Sequence, residues 1–375
     1  MKNIYKPSKT ILTAGPSITK KEIQYVIDAV KNGWNFHFND YIERFEKTMA
    51  SYLGVKHAMA TSSGTGALHL SLLAMDIKEG DEVILPEISA VASANVITYV
   101  GAKPVFVDIE ADTWCMDPQS VKKAITKKTK AVMPVHLYGH PANMGEINSI
   151  AKEHDLYVLE DACPSLGATF KGKKTGNLGD MAAFSFQGAK VAVIGEGGML
   201  VTNNSKLFEK ASYIADLGRD RNRGAFWHTI VGYKYRMANI QASLGLAQLE
   251  RIESLVEKKR KIFQWYHKRL GKIDGISMNV EKDWAKNTYW MSSIVLEKKL
   301  GITRDELMVK LKERMIDTRP FFFPFSMLPM YKTKSDNPVS YDKGLNGINL
   351  PSGVMLTEKE VGYVASQIID LLGKR

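Results

Sequence analysis

From residue 56 to 202 the chain alternates short apolar runs with stretches of helical spacing, and this alternation constrains the fold more than any other feature. Seven runs read as strands: His57–Ala60, Glu82–Leu85, Pro104–Asp108, Ala131–Leu137, Leu156–Asp161, Ala182–Phe186 and Met199–Thr202. Gly66–Leu73, Ala92–Val100, Pro118–Ile125 and Met144–His154, lying between them, read as helices. Continuous apolar strands joined by crossover helices predict an α/β fold with a mostly parallel, seven-stranded sheet covered on both faces. Ligands of such sheets gather beyond the carboxyl ends of the strands, so chemistry is expected in the residues just after each strand.

A long helical pattern follows, carrying Ile240, Leu244, Leu249, Ile252 and Leu255, and its polar face turns basic near Lys258. After about residue 275 the pattern changes to a smaller α+β segment. It comprises a strand region Trp284–Leu296, a helix Arg304–Met315 and a terminal helix Thr357–Leu372, with Arg319–Pro324 as an ordered loop or irregular strand. A length of 375 residues agrees with two units, a large α/β domain over 1–255 and a small C-terminal α+β domain over 256–375. Two cysteines, Cys115 and Cys163, without a CxxC pair or a Cys/His cluster, exclude a disulfide scaffold and a zinc module. They point to a reducing cytoplasm, and no metal site is expected. No secretory leader and no apolar run of membrane-spanning length is read, so no membrane partner is expected. The net charge of +11 invites a nucleic-acid reading. The lysines are scattered, however, and no RNP, helix-turn-helix or KH signature accompanies them, so no nucleic-acid partner is expected.

Three elements carry chemistry. Lys190 follows the Ala182–Phe186 strand by a few residues, in partly apolar surroundings that favour a neutral amine able to form a Schiff base. Taken alone, it is one lysine among many. Asp161 ends the Leu156–Asp161 strand beside Glu160. An acid there is ordinarily a helix cap, yet it is also what the ring nitrogen of pyridoxal phosphate requires. Ser62-Ser63-Gly64-Thr65-Gly66 leads from a strand into a helix and offers backbone N–H groups and hydroxyls to a phosphate, with Ser185 as a further donor. Neither GxxxxGK[ST] nor a GxGxxG opening a βαβ unit occurs, which removes support from kinase, ATPase and Rossmann dehydrogenase readings. In chain order, phosphate cradle, acidic strand end and post-strand lysine make a joint signal.

On these residues the chain resembles the DegT/DnrJ/StrS sugar-nucleotide aminotransferases, which have the aspartate-aminotransferase fold of pyridoxal-phosphate enzymes. The resemblance runs from about Ile18 to Leu372 and includes Ser63-Gly64-Thr65, Pro134–Gly139, Glu160-Asp161-Ala162, Phe184-Ser185-Phe186 with Lys190, Gly195–Met199 and Gly232–Met237. Asp317–Pro320, Met327–Tyr331 and Asn349–Ser352 look most like its GDP-perosamine-forming branch. The resemblance implies pyridoxal 5'-phosphate as cofactor, passing through pyridoxamine phosphate, with Lys190 as the Schiff-base lysine and proton shuttle. Asp161 is then the partner of the ring nitrogen, and Ser63, Gly64, Thr65, Ser185 and Lys234 hold the phosphate. It also implies glutamate as amino donor and a nucleotide-linked 4-keto-6-deoxyhexose as acceptor, with a product used in a surface glycan such as a lipopolysaccharide O-antigen. A cytoplasmic homodimer with composite active sites is implied too, the Tyr235-Arg236 segment reaching the second subunit's site. His136, Tyr138, Glu196 and Arg319 are further candidates for substrate contact, although His136 and Glu196 fit purely structural roles equally well.

Some positions depart from the family pattern. Ala90 stands where an aromatic ring usually stacks on the cofactor, and Pro164 where Gln, Glu or His is common. Lys234 replaces an Asn, Asn35–Phe38 a Ser-rich stretch, and Ser326 a His. Transfer to a different keto sugar or a cyclitol ketone is the alternative, and a catalytically silent regulator the reading from another class. Phe321-Phe322-Phe323 reads as core rather than ligand stack, and Cys163 as a small buried filler.

Overall fold

Strand direction and helix packing decide where the predicted elements meet. The computed structural model describes residues 7–220, 222–224 and 226–373. Helices α1 (Lys20–Asn32) and α2 (Asp40–Leu53) precede β1 (His57–Thr61), and α3 (Gly64–Ala74) follows it. Next come β2 (Glu82–Pro86), α4 (Val91–Tyr99), β3 (Lys103–Val107), α5 (Pro118–Ala124), β4 (Thr129–Val132), α6 (Met144–Glu153) and β5 (Tyr157–Asp161). A short hairpin of β6 (Thr169–Phe170) and β7 (Lys173–Lys174) leaves the sheet before β8 (Met181–Ser185) and β9 (Gly198–Thr202), and α7 (Ser205–Ala215) closes this region.

All seven predicted runs enter one sheet, in the order β1-β9-β8-β5-β4-β2-β3. Strands β3, β2, β4, β5 and β8 are parallel, while β9 lies antiparallel to both β1 and β8. β4 is shorter than the predicted Ala131–Leu137 run, because Pro134 has no N–H to give to the ladder. The chain turns instead through Leu137–Gly139, with Tyr138 in the left-handed region at φ 52°.

The single long helix expected after residue 239 is two helices, α8 (Asn239–Leu249) and α9 (Ile252–Leu270), with the chain turning at Glu250-Arg251. The cause is packing. Almost every side chain from Ala242 to Leu249 is buried as α8 lies against α1 and α2, whereas α9 departs towards the C-terminal unit. That unit contains β10 (Ile276–Met278), β11 (Ala285–Lys286), β12 (Ser293–Leu296), α10 (Arg304–Glu313), β13 (Arg319–Pro320), α11 (Pro338–Asn346), β14 (Gly347–Asn349) and α12 (Glu358–Leu371). An antiparallel sheet β10-β12-β14-β13 is its frame, and β11 pairs with β6. Residue 255 falls inside α9, whose halves serve different cores. Leu255 and Val256 join the core under the main sheet, while Ile262, Phe263, Tyr266 and Leu270 pack with Leu307, Val361 and Ile368. Ile11, far away in sequence, pairs with Ile316 and enters this second core. Among the described residues no helix is long and apolar enough to cross a membrane.

One lysine of α9 is fully enclosed. Lys259 Nζ donates to the carbonyls of Trp290 (3.0 Å) and Ser352 (2.6 Å), tying two segments of the C-terminal unit together. Burial pushes its pKa down from 10.5 to about 7. The unfolded chain therefore binds one more proton than the fold between about pH 7 and 10.5, and stability gains with rising pH across that window. Below it the full cost of burying the charge is present. Urea unfolding of wild type and Lys259→Met at pH 7, 8.5 and 10 tests the sign: the wild type should gain stability relative to the variant as pH rises. Parallel curves would refute it.

Candidate active site

The two carboxylates that end β5 have opposite fates, because successive residues of a strand face opposite sides of a sheet. Glu160 is wholly buried and accepts from the N–H groups of Gly176 (2.8 Å), Leu178 (2.6 Å) and Gly179 (2.7 Å) and from His136 Nε2 (2.9 Å). It fixes the turn that leads into β8. Asp161 faces a cavity instead. Its Oδ2 accepts from Ser93 Oγ of α4 (2.6 Å) and its Oδ1 from Cys163 N–H (3.2 Å), which hold the carboxylate in place and leave lone pairs free for a ligand.

That cavity has a volume of about 320 Å³ and sits at the carboxyl ends of the central strands. Ser63, Gly64, Thr65, Tyr138, Asp161, Ser185, Lys190, Glu196 and Arg319 all line it, so nine of the residues singled out in the sequence meet there. Lys190 is delivered by the loop between the antiparallel strands β8 and β9. Bonds from Phe186 N–H to Gly197 O (2.9 Å), Gly188 N–H to Gly195 O (2.9 Å) and Ile194 N–H to Phe186 O (2.8 Å) close this loop on itself. Lys190 Nζ lies 3.9 Å from the centroid of the Trp290 ring, and the Trp290 indole N–H donates to Ala189 O (2.6 Å). The same tryptophan thus faces the amine and grips the residue before it. Burial lowers the Lys190 pKa below the ordinary lysine range, against the pull of Cys163 and Asp161, and so favours a neutral, nucleophilic amine.

Opposite this amine is the first turn of α3. Ser63 caps it, accepting from Gly66 N–H (3.0 Å), while the N–H groups of Gly64 and Thr65 lie where no i−4 carbonyl exists to receive them. A Cβ on Gly64 would come within 2.9 Å of both Cys163 Sγ and Ser185 Cβ, so only glycine lets the turn close against β8 and the Cys163 loop. A phosphate group fits here: free N–H groups, flanking hydroxyls and a helix N-terminus converge. With Asp161 and Lys190 in the same cavity, the residues present fit pyridoxal phosphate.

The remaining candidates divide. His136, a candidate for substrate contact, does not line the cavity. Its Nδ1 accepts from Ala142 N–H (3.0 Å), so Nε2 carries the proton given to Glu160, and both nitrogens are spent inside the fold. Lys234 and Arg236 line a second cavity, of about 620 Å³, with Phe38, Asp216, Arg219 and Asn239. Tyr235 turns back into its own chain, stacking on Tyr233 and contacting His69 Nδ1 through its hydroxyl (3.2 Å). Phe321 is core, packed between Trp114 and Tyr138, but Phe322 lines the active cavity, and Cys163 is a partly exposed wall of it. Ala90 lies on the wall as well, and Ser326 is buried outside it. Ser93 and Trp290 carry no functional expectation from the sequence, Asn349 enters it only as part of a family-like motif, and Phe322, expected in the core, lines the cavity instead. Trp290, Phe322 and Asn349 belong to the C-terminal unit, and only the fold brings them to this cavity.

An amine that burial favours in its neutral form, set with a fixed carboxylate and an anion cradle, is what a pyridoxal-phosphate-dependent aminotransferase requires. Comparison with known proteins agrees. The DegT/DnrJ/EryC1/StrS aminotransferase family model matches residues 16–369, and the chain belongs to that family. It is 42% identical to GDP-perosamine synthase of Escherichia coli O157:H7 over 94% of this chain and 96% of that protein. To GDP-perosamine synthase of Caulobacter vibrioides it is 40% identical, over 96% of this chain and 98% of that one. Its fold is similar to the pyridoxal-phosphate form of a putative sugar aminotransferase from Streptococcus pneumoniae, with a TM-score of 0.89, 27% identity and coverage of 97% and 99%. The chain is an enzyme that takes an amino donor and a keto substrate.

Proposed function

We propose that the chain transfers an amino group from glutamate to the ketone of a nucleotide-linked 4-keto-6-deoxyhexose, most closely in the manner of GDP-perosamine formation. The observation that carries the reading is the meeting of Lys190, Asp161 and the α3 N-terminus in one cavity. Similarity at 40–42% identity to two proteins named GDP-perosamine synthase, over nearly all of both chains, supports the sugar. Pyridoxal phosphate, when bound, supplies a carbonyl for an incoming amine and a protonated ring that draws electrons from the reacting carbon. The Gly64 and Thr65 N–H groups with the Ser63 and Ser185 hydroxyls hold the phosphate. Asp161 keeps the ring nitrogen protonated. Lys190 Nζ would hold the cofactor, and the same amine, favoured in its neutral form by burial, would take up and return the proton that the transfer moves. Tyr138, Glu196 and Arg319 face the sugar side of the cavity, where Arg319 offers a cation to a phosphorylated acceptor. In a cytoplasmic homodimer the Lys234–Arg236 segment extends towards the second subunit's site. Phe38, which lines the same cavity as Lys234 and Arg236 and is itself exposed, supports burial of this face by a second copy. Perosamine-type products then serve surface-glycan synthesis.

A spectroscopic half-reaction tests the reading. Loaded with cofactor, the protein should show a band at roughly 400–430 nm that glutamate bleaches. GDP-4-keto-6-deoxymannose should restore the band and yield an aminated product by mass spectrometry. Recovery only with another keto sugar or a cyclitol ketone moves the substrate within the family. Absence of any band would favour the silent regulator.

A further inference from the structure

Glu87 follows β2 directly, is completely buried, and takes no part in the chemistry described so far. Its carboxylate is filled by four donors from one distant segment. Ser326 N–H (2.8 Å) and Oγ (2.6 Å) reach Oε1, while Ser335 Oγ (2.8 Å) and Asn337 Nδ2 (2.6 Å) reach Oε2. The main chain repeats the link, with Phe325 N–H donating to Glu87 O (2.9 Å). Among the described residues no cation pairs with it, so the geometry rests on these neutral donors alone. On the adjacent parallel strand, the residue after β3 behaves alike. Asp108 accepts from Val339 N–H (3.1 Å), Ser340 N–H (2.8 Å) and Ser340 Oγ (2.7 Å), at the first turn of α11. Two neighbouring strand ends thus pin one continuous segment, 326–340, onto the main sheet.

What this segment secures is a wall of the active cavity. Arg319, Pro320 and Phe322 lead into it and line the cavity, while Ala90, Ala92 and Ser93, immediately beyond Glu87, also line it. Helix α11 presses on both: a Cβ at Gly344 would stand 3.0 Å from Phe322 O and 3.4 Å from Ile88 Cγ2. We propose that Glu87 is a positioning residue for the acceptor, a buried clamp that holds the Arg319–Phe322 wall at a fixed distance from the Ala90–Ser93 wall and so sets the fit of the nucleotide-linked sugar. This inference rests on the function proposed above. The amino donor is small and needs Lys190 and Asp161; Glu87 contacts neither, and Ser93 keeps its own bond to Asp161 on the far side of the Ala90–Ser93 wall. The larger acceptor spans both walls.

Glu87→Gln preserves shape but replaces one acceptor oxygen by an NH₂ group that confronts two donors, and Glu87→Asp keeps the charge on a shorter arm. With the cofactor-loaded dimer or monomer as isolated, Glu87→Gln should raise the acceptor KM about tenfold while the glutamate half-reaction stays within about twofold, and Glu87→Asp should recover part of the loss. Lys332 and Lys334 are exposed within the pinned segment. Trypsin should therefore cut there about tenfold faster in Glu87→Gln, with cutting elsewhere unchanged. An unchanged acceptor KM in an active enzyme, equal losses in both half-reactions, or unchanged cutting at 332 and 334 would each overturn the clamp. A wild type inert towards every donor and acceptor would instead overturn the proposed function, and the proteolysis comparison would still decide the clamp.

Discussion

Lys190→Ala should abolish the glutamate half-reaction, slowing it by about 10⁴-fold, or about 5 kcal/mol of barrier, while leaving the fold in place. Among the described residues Lys190 is the only lysine lining the cavity, so no second amine there can stand in for it in the roles proposed above. Its contribution to stability is small. It is half-buried, and its prominent contact is the face of Trp290, a packing contact that alanine removes without leaving a buried charge unpaired. The melting temperature should accordingly shift by only a few degrees. Lys190→Arg separates packing from chemistry, because a guanidinium can still lie on the Trp290 face but does not lose its proton at neutral pH and so offers no nucleophilic amine. It should be as inactive as the alanine variant. Pyridoxamine phosphate formed on adding glutamate, quantified by chromatography after acid quenching, compares all three proteins without relying on the Lys190 band. A rate for Lys190→Ala within tenfold of wild type would exclude Lys190 from the chemistry.

How much of this could be read from the chain depends on which interactions are local. The seven strands were legible because a strand buried on both faces must be an apolar run whatever its direction. The reversal of β9 was not, since direction leaves no mark in an apolar pentapeptide, yet it is this reversal that folds residues 186–197 into the closed loop that presents Lys190. The α8–α9 break was hidden for a related reason. Leu249, Ile252 and Leu255 continue a helical spacing across Glu250-Arg251, and only the demand of two different cores turns the chain. In the site, Ser63 to Thr65, Asp161, Ser185 and Lys190 were legible because each ends or soon follows a strand of the main sheet. Trp290, Phe322 and Asn349 arrive from the second sheet, through contacts spanning a hundred residues or more, such as the bond from Trp290 to Ala189. His136 and Tyr138 show the limit of proximity along the chain. Two residues apart, one is spent on Glu160 within the fold and the other lines the cavity.

Asp161 should yield the second large effect, and a graded series exposes its origin. Replacing a preorganised charge at the site of developing electron density typically costs about 10²–10³-fold in rate. Asp161→Asn keeps the size of the side chain and an oxygen for either Ser93 or Cys163, but lacks the carboxylate that the proposed role at the ring nitrogen requires. It should slow the glutamate half-reaction by about 10²–10³-fold, and Asp161→Ala by at least as much. Glu160 cannot compensate. It lies on the other face of β5, and its oxygens are committed to three backbone N–H groups and His136. Ser93→Ala should slow the reaction by about tenfold, the low end of what one hydrogen bond to a charged carboxylate is worth, because Asp161 keeps its charge and its bond from Cys163. The expected order is therefore alanine at 161, then asparagine at 161, then alanine at 93. Matched losses in Asp161→Asn and Ser93→Ala would mean that orientation, and not charge, is what Asp161 contributes. An Asp161→Asn rate within tenfold of wild type would remove it from the role altogether. The two substitutions at 161 leave Lys190 in place, so a cofactor band should still form in both variants, separating loss of electron withdrawal from loss of binding.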